Sequence, residues 1–407
     1  MNKRNRQSSR TAGVIRYSCG ILFLLFSFCY LFFLQGELLA EAQFVFSRGV
    51  TTYNLLAGAI IIPLVLLFLQ WLVGIVSQLP PRFYALSYLP SMLLLAMITD
   101  VNKTTLVHFG IGAWAWIFPL ALVGYILLTL LLRALDSRRY EPVGDIRTQL
   151  YPNFIILLAL TLMVGSIPKT TDVYHFELKA ERLILEKDYE AASRVGERSL
   201  RTSARLTQLR MYALSKQGLL AERIFDYPQH DGSKGLLDVT DTLPDYRFSP
   251  QAICLHLGAF SGNSVHSTQR FFDLVLADDT LWNQQTVDYY LCSLLLDKRL
   301  SDFKKQLPRY YHHSDTVQQV FSQLPKAYRE ALMLTASSSV VSQGKVPYDA
   351  DTLSVDDAEL LQRFMDYNKE KAAYSDLTER MNLTHRHFGN TYWWYYDYSQ
   401  LAQGELK

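Results

Sequence analysis

Apolar residues cluster unevenly along this chain of 407 residues. Five long runs with almost no internal charge occupy its first part: Tyr17–Leu34, Tyr53–Val76, Phe83–Ile98, Gly110–Leu132 and Leu150–Ile167. A helix needs about 20 mostly apolar residues to cross a hydrocarbon core. The second and fourth runs meet that length, and the first and fifth sit near its lower limit. The third is short, follows Pro80-Pro81 and contains Pro90. It is expected to span, with a tilted, kinked or re-entrant segment as the alternative. The first run follows a basic stretch and precedes Ala40-Glu41-Ala42, a small-x-small sequence. A signal-peptide core is about 7–15 residues, so this longer run is expected to be a retained anchor.

From residue 168 the pattern changes to short amphipathic periods broken by polar turns. The expected fold is all-α: a transmembrane domain at 1–167 with about five spans, then a soluble helical domain at 168–407. Leu178, Leu183 and Leu185 give a first apolar face, Lys187-Asp188 breaks it, and Tyr189-Glu-Ala-Ala-Ser-Arg-Val starts a second helix. This junction resembles the turn inside a tetratricopeptide repeat. Aligning Asp188 with Gly218 yields a second copy, Leu206–Lys216 followed by Leu219–Phe225, at a shorter spacing than that family's 34 residues. Looser pairs follow at Pro250–Ala259 with Ser264–Leu276 and at Gln284–Leu296 with Leu300–Leu307. Lys326–Ala336 and Asp356–Leu377 come next, separated by a polar loop at Ser337–Asp351. One helix pair cannot bury its apolar face alone, so the pattern predicts an α-solenoid of stacked pairs.

Charge orients the anchor. Cytoplasmic loops are enriched in Lys and Arg. With the N-terminus inside, ten of these residues fall on that side: Lys3, Arg4, Arg6, Arg10, Arg16, Arg82, Arg133, Arg138, Arg139 and Arg147. Only Arg48 and Lys103 fall outside. Five spans then carry the second domain to the outer face, the periplasm of a two-membrane bacterium. The small net charge of +2 hides unlike halves. The part from 168 has 28 Lys and Arg against 32 Asp and Glu, whereas the first part has 12 against 6. A mildly acidic second domain argues against nucleic acid as a partner, because phosphate binding needs a concentrated basic face.

Candidate chemistry is sparse. The spans hold no ionisable Asp, Glu, Lys, Arg or His, and Gln70 and Asn153 are their most polar residues. That composition argues against a pump or a proton-coupled carrier. Glu37 and Glu41, in Gln35-Gly-Glu-Leu-Leu-Ala-Glu, are the only catalytic candidates. Membrane glycosyltransferases that use lipid-linked sugars place an acid in such a loop, as base or metal ligand; the competing reading is a solvated helix face. At the other end Tyr392, Trp393, Trp394, Tyr395 and Tyr396 form an aromatic run. It reads either as a ligand platform or as a final helix that caps the stack or lies on the membrane. These five and Tyr189 are the interaction candidates. His312-His313 and His385-Arg386-His387 lack zinc-helix spacing. No phosphate-binding glycine loop or nucleophile elbow occurs, so no cofactor or metal is expected. Cys254 and Cys292 are open to a disulfide or to buried free thiols.

Four segments carry a family resemblance: Gly36-Glu-Leu-Leu-Ala-Glu-Ala-Gln-Phe, Leu86-Ser-Tyr-Leu-Pro-Ser, Ile224-Phe-Asp-Tyr-Pro-Gln and Leu324-Pro-Lys-Ala-Tyr-Arg-Glu-Ala. Through them the chain resembles an uncharacterised family of multi-pass membrane proteins of Bacteroidetes type. The resemblance implies membrane spans followed by tetratricopeptide-like helices in the cell envelope. It brings no activity with it. The expected function is a non-enzymatic scaffold in the bacterial inner membrane. Its partners would be the bilayer and a protein of the envelope. The alternatives are a lipid-linked-sugar enzyme and an accessory subunit of a transporter.

Overall fold

A computed structural model describes residues 3–101, 112–136, 146–167, 172–199, 201–229, 231–237, 247–258, 267–278, 281–311, 323–335 and 355–405. Every regular element among them is helical. The chain divides into two compact units, one of residues 1–178 with 245–247 and one of 179–244 with 248–407. The division falls inside the helix Asp172–Leu185.

Among the described residues of the first unit, five helical segments are long and apolar enough to cross a membrane: Ala12–Leu34, Leu55–Ser77, Pro81–Thr99, Trp114–Leu135 and Ile146–Ser166. The fifth starts four residues before the apolar run does, because Ile146-Arg-Thr-Gln already has helical backbone. Leu64, Phe68, Leu72, Leu127, Leu131, Ile155 and Leu162 are exposed. Leucine- and isoleucine-rich outer faces of this kind suit a hydrocarbon surround.

The short third run gains its length from backbone geometry. Pro81–Tyr88 is a 3-10 helix, broken at Phe83, and Leu89–Thr99 continues as an α-helix. A 3-10 helix rises about 2.0 Å per residue against 1.5 Å for an α-helix. This segment touches each of the other four and is the most enclosed of the five. Its irregular backbone needs partners that lipid cannot supply. Asn153 provides them: its Oδ1 accepts from the Ala85 N–H at 2.7 Å, and its Nδ2 donates to Pro81 O at 2.8 Å. Gln70 Nε2 donates to Tyr84 Oη at 2.9 Å and to Ser87 Oγ at 2.8 Å. Ser91 Oγ donates to Leu66 O at 2.8 Å. Arg133 closes another end, its Nε donating to Ser77 O at 2.6 Å where the helix Leu55–Ser77 leaves carbonyls unpaired.

Among the described residues of the second unit, two helices are enclosed on all sides over most of their length. Every residue from Arg205 to Ser215 in Ala204–Lys216 is buried, as is every one from Tyr289 to Leu296 in Gln284–Leu296. A helix apolar or satisfied all round belongs at a core. Three hairpins share one turn. Lys187, Gly218 and Lys298 have φ of 63°, 71° and 57°. In each the next residue donates to the carbonyl five back: Asp188 to Leu183 at 2.9 Å, Leu219 to Leu214 at 2.9 Å and Arg299 to Leu294 at 2.8 Å. This is the Schellman closure, which satisfies the last carbonyls of a helix. It equates Lys187, not Asp188, with Gly218, shifting the expected alignment by one residue. Asp188 is instead the next helix's N-cap, its Oδ1 accepting from Ala191 N at 3.0 Å. Contacts also link distant helices: Leu220–Arg223 packs on Lys326–Thr335, and Lys326–Thr335 on Tyr392–Glu405. Cys254 and Cys292 are buried free thiols.

Asn153→Leu is expected to cost about 1–3 kcal/mol, because it leaves the buried Ala85 N–H without Asn153 Oδ1. The check is the midpoint of thermal unfolding in detergent, which should fall well below that of the exposed control Leu158→Ala.

Candidate functional site

Glu37 and Glu41 lie on the helix Gly36–Phe46 of the first unit. Glu37 sits in its first turn, where the helix dipole favours a carboxylate. One turn apart, both side chains point the same way. There they meet Arg247, 206 positions further along the chain. Arg247 Nε donates to Glu41 Oε2 at 2.7 Å, and its Nη2 lies 3.8 Å from Glu37 Oε2. Nη2 also donates to Leu178 O at 3.3 Å. Glu41 is only 2% exposed. The expected solvated face is therefore corrected for Glu41: its side chain is enclosed and ion-paired. Sequence reasoning missed Arg247, because nothing in the sequence links two positions so far apart. The helix packs through Leu38 on Tyr174 and Leu178, which fixes the carboxylates beside the arginine.

The aromatic run is placed differently from a ligand platform. Tyr392 and Trp393 are fully buried, and Tyr395 nearly so. Trp393 stacks obliquely on Phe364 at 4.8 Å and donates from Nε1 to Glu330 O at 2.8 Å. Phe225 contacts Tyr392 and Tyr395 at ring separations of 5.2 and 5.1 Å. Tyr395 Oη donates to Leu296 O at 2.8 Å. As candidates for contact with a partner these three are corrected, because their rings form the core of the second unit. Helical spacing is the reason, since residues three and four apart share a face. Trp394, Tyr396 and Tyr189 are half-buried. Trp394 donates to Met381 O at 3.2 Å, and Tyr189 meets Tyr212 edge-on at 6.3 Å.

Buried ionisable groups in the second unit escaped sequence reasoning. Arg205 pairs with Glu181, Nη2 to Oε1 at 2.6 Å, and also donates to Phe248 O. Arg210 is fully buried; its Nε and Nη2 donate to Val195 O at 2.8 and 2.6 Å, and it lies over the Tyr227 ring at 4.9 Å. Burial pushes its pKa down to about 10. Asp288 accepts from Tyr328 Oη at 3.0 Å and from Tyr311 Oη, and burial raises its pKa. Glu330 Oε2 accepts from Tyr392 N at 2.7 Å, capping the helix Tyr392–Glu405. Burial raises the Glu330 pKa to about 7, against the smaller opposing pull of Lys326 and that backbone N–H.

Among the described residues no three His, Cys, Asp or Glu side chains are grouped to hold a metal. His387 Nδ1 lies 3.1 Å from Glu370, and His385 meets Trp394 edge-on at 4.5 Å. His312-His313 lies outside the described residues.

Residues 260–399 match a family of unknown function, DUF6057. The match covers about a third of the chain and lies wholly in the second unit. Of the four resembling segments only Leu324–Ala331 falls inside it. No curated protein and no solved structure matches the chain.

Two outcomes follow from these enclosed charges. Glu41→Gln and Arg247→Gln should each cost about 3–5 kcal/mol by leaving the partner charge buried. The double variant should cost less than the sum, as a double-mutant cycle on thermal unfolding in detergent would show. Glu330 gives a pH dependence. Below about pH 4.5 it is protonated in folded and unfolded chains alike. Between there and about pH 7 only the unfolded chain ionises it, so stability falls as pH rises through that window. Glu330→Gln should flatten this slope in melting curves collected from pH 4.5 to pH 8, and a wild-type slope of the opposite sign would refute the assignment.

Proposed function

We propose that this chain is a membrane-anchored, non-enzymatic interaction protein. It holds a helical-repeat domain against the outer, periplasmic face of a bacterial inner membrane, where the domain binds a protein of the cell envelope. The observation that carries this reading is the succession of five membrane-length helices and a polar unit with three hairpins closed by one and the same turn. Repeated helix hairpins offer extended surfaces for peptides and proteins, because stacked pairs bury their apolar sides and leave the others exposed.

The arrangement of charge supports the orientation. Arg16, Arg82, Arg133 and Arg147 flank the same ends of the spans, and basic residues stay on the cytoplasmic side. An odd number of spans then delivers the second unit to the opposite side. The enzyme alternative needs Glu37 or Glu41 as a free carboxylate facing a lipid-linked sugar. The ion pair of Glu41 with Arg247 favours a structural duty for it instead.

The test is cross-linking in cells whose outer membrane has been permeabilised. A membrane-impermeant, amine-reactive reagent should join exposed Lys179 or Lys187 to one envelope protein in near-stoichiometric yield. Purification of a chain that carries only lipid or a lipid-linked sugar would overturn the scaffold reading. Labelling of these lysines only after the inner membrane is broken would overturn the orientation.

A further inference from the structure

The first unit contains a lateral groove of about 870 Å³ between the first and second spans. Its low wall is built by Gly13 and Gly20, two turns apart on one face of the first helix. A Cβ at Gly13 would meet nothing within 4 Å, and one at Gly20 would meet only the Tyr88 hydroxyl at 3.6 Å. The far wall is apolar, formed by Leu64, Leu67 and Phe68 of the second span. The groove is therefore an open slot on the side of the bundle, within the segments long enough to cross a membrane.

Its chemistry changes at one end. Arg16, exposed, lies over the Tyr84 ring with its guanidinium carbon 5.6 Å from the ring centre. Tyr84 in turn accepts from Gln70, which is buried and tied to Ser87. Trp71 completes this polar end and is the sort of amphipathic ring that settles at headgroup level. A slot with an oily length and one cationic, hydrogen-bonding end matches a molecule with an acyl chain and a phosphate. Four further basic residues, Lys3, Arg4, Arg6 and Arg10, precede Arg16 in sequence and add to the pull on anionic lipid.

We propose that this groove is a binding site for one anionic phospholipid, its acyl chain along Leu64, Leu67 and Phe68 and its phosphate at Arg16. The site is independent of the scaffold reading, since it requires only that the first unit be in a membrane. Charge complementarity selects an anionic head over a zwitterionic one, because Arg16 has no carboxylate of the groove lining to answer it.

The experiment uses the full chain in nanodiscs of phosphatidylcholine, with and without phosphatidylglycerol. Transfer to a mild detergent and native mass spectrometry then read what stays bound. Wild type should retain one phosphatidylglycerol in preference to phosphatidylcholine. Arg16→Gln, at an exposed position, should cut that preference about fivefold, the scale of one basic residue's attraction to an anionic surface. Leu64→Trp, also exposed, should fill the slot and abolish the adduct for both lipids. Equal retention of the two lipids by wild type, or a preference unchanged by Arg16→Gln, would overturn the proposal.

Discussion

The first unit depends on one constraint: in hydrocarbon, every backbone N–H and carbonyl must find its partner within the protein. Four of the five membrane-length segments meet it mostly by α-helical bonding. The third does not, because the stretch Pro81–Tyr88 winds as a 3-10 helix with a break at Phe83 before Leu89–Thr99 continues as an α-helix. The segment survives at the centre of the bundle since Asn153 and Gln70 reach in from neighbouring helices to serve it. Centrality and irregularity are thus linked. Only an enclosed position offers side chains on all sides, and only polar side chains can complete a broken ladder. Asn153 thus serves as a backbone partner, and Gln70 as a side-chain partner of Tyr84 and Ser87 on the same segment.

The second unit meets the same requirement with charge. Arg205 is answered by Glu181, but Arg210 rests on a carbonyl and an aromatic face, and its lowered pKa records the cost of enclosure. Glu330 and Asp288 are enclosed in the opposite sense, as acids whose neutral forms are favoured by burial. Buried ionic groups seldom add net stability over a well-packed apolar core. What they add here is position. Glu330 fixes the start of the helix Tyr392–Glu405, and Asp288 holds Tyr311 and Tyr328 together. The matched family region contains both arrangements, so it describes a packed helical body and none of the spans.

Much of the architecture was legible in the sequence, because span length and helical period are local signals. The five runs match the observed segments to within about five residues at each end, the largest offsets being the starts at Ala12, Trp114 and Ile146. The hairpin turns at Lys187, Gly218 and Lys298 were marked by short polar breaks, although only the backbone bonds fix their register. Long-range pairing was not legible. No pattern announces that Glu41 will meet Arg247, or that Phe225 will lie against Tyr392. The aromatic run misleads for a related reason. Six aromatics in seven residues read either as a ligand platform or as a final packing helix, and packing turns Tyr392, Trp393 and Tyr395 inward. Composition shows that aromatic surface is present, and only packing decides whether it is spent inside.

That burial bears on where recognition can occur. A platform of stacked rings would have offered specificity by shape and π-face contact. With Tyr392, Trp393 and Tyr395 committed to the core, recognition in the proposed reading would fall to polar helix faces and the hairpin turns. Surfaces of this kind discriminate by charge pattern and hydrogen bonding, and they steer encounter more than they hold by apolar burial. A mildly acidic body fixed beside a bilayer would be repelled from anionic headgroups and drawn to basic partners. The proposed lipid groove would work in the reverse sense, its Arg16 end suited to anionic headgroups. In the proposed reading, segregation of charge between the two units would give them different neighbours: anionic lipid for the first, and a complementary protein surface for the second.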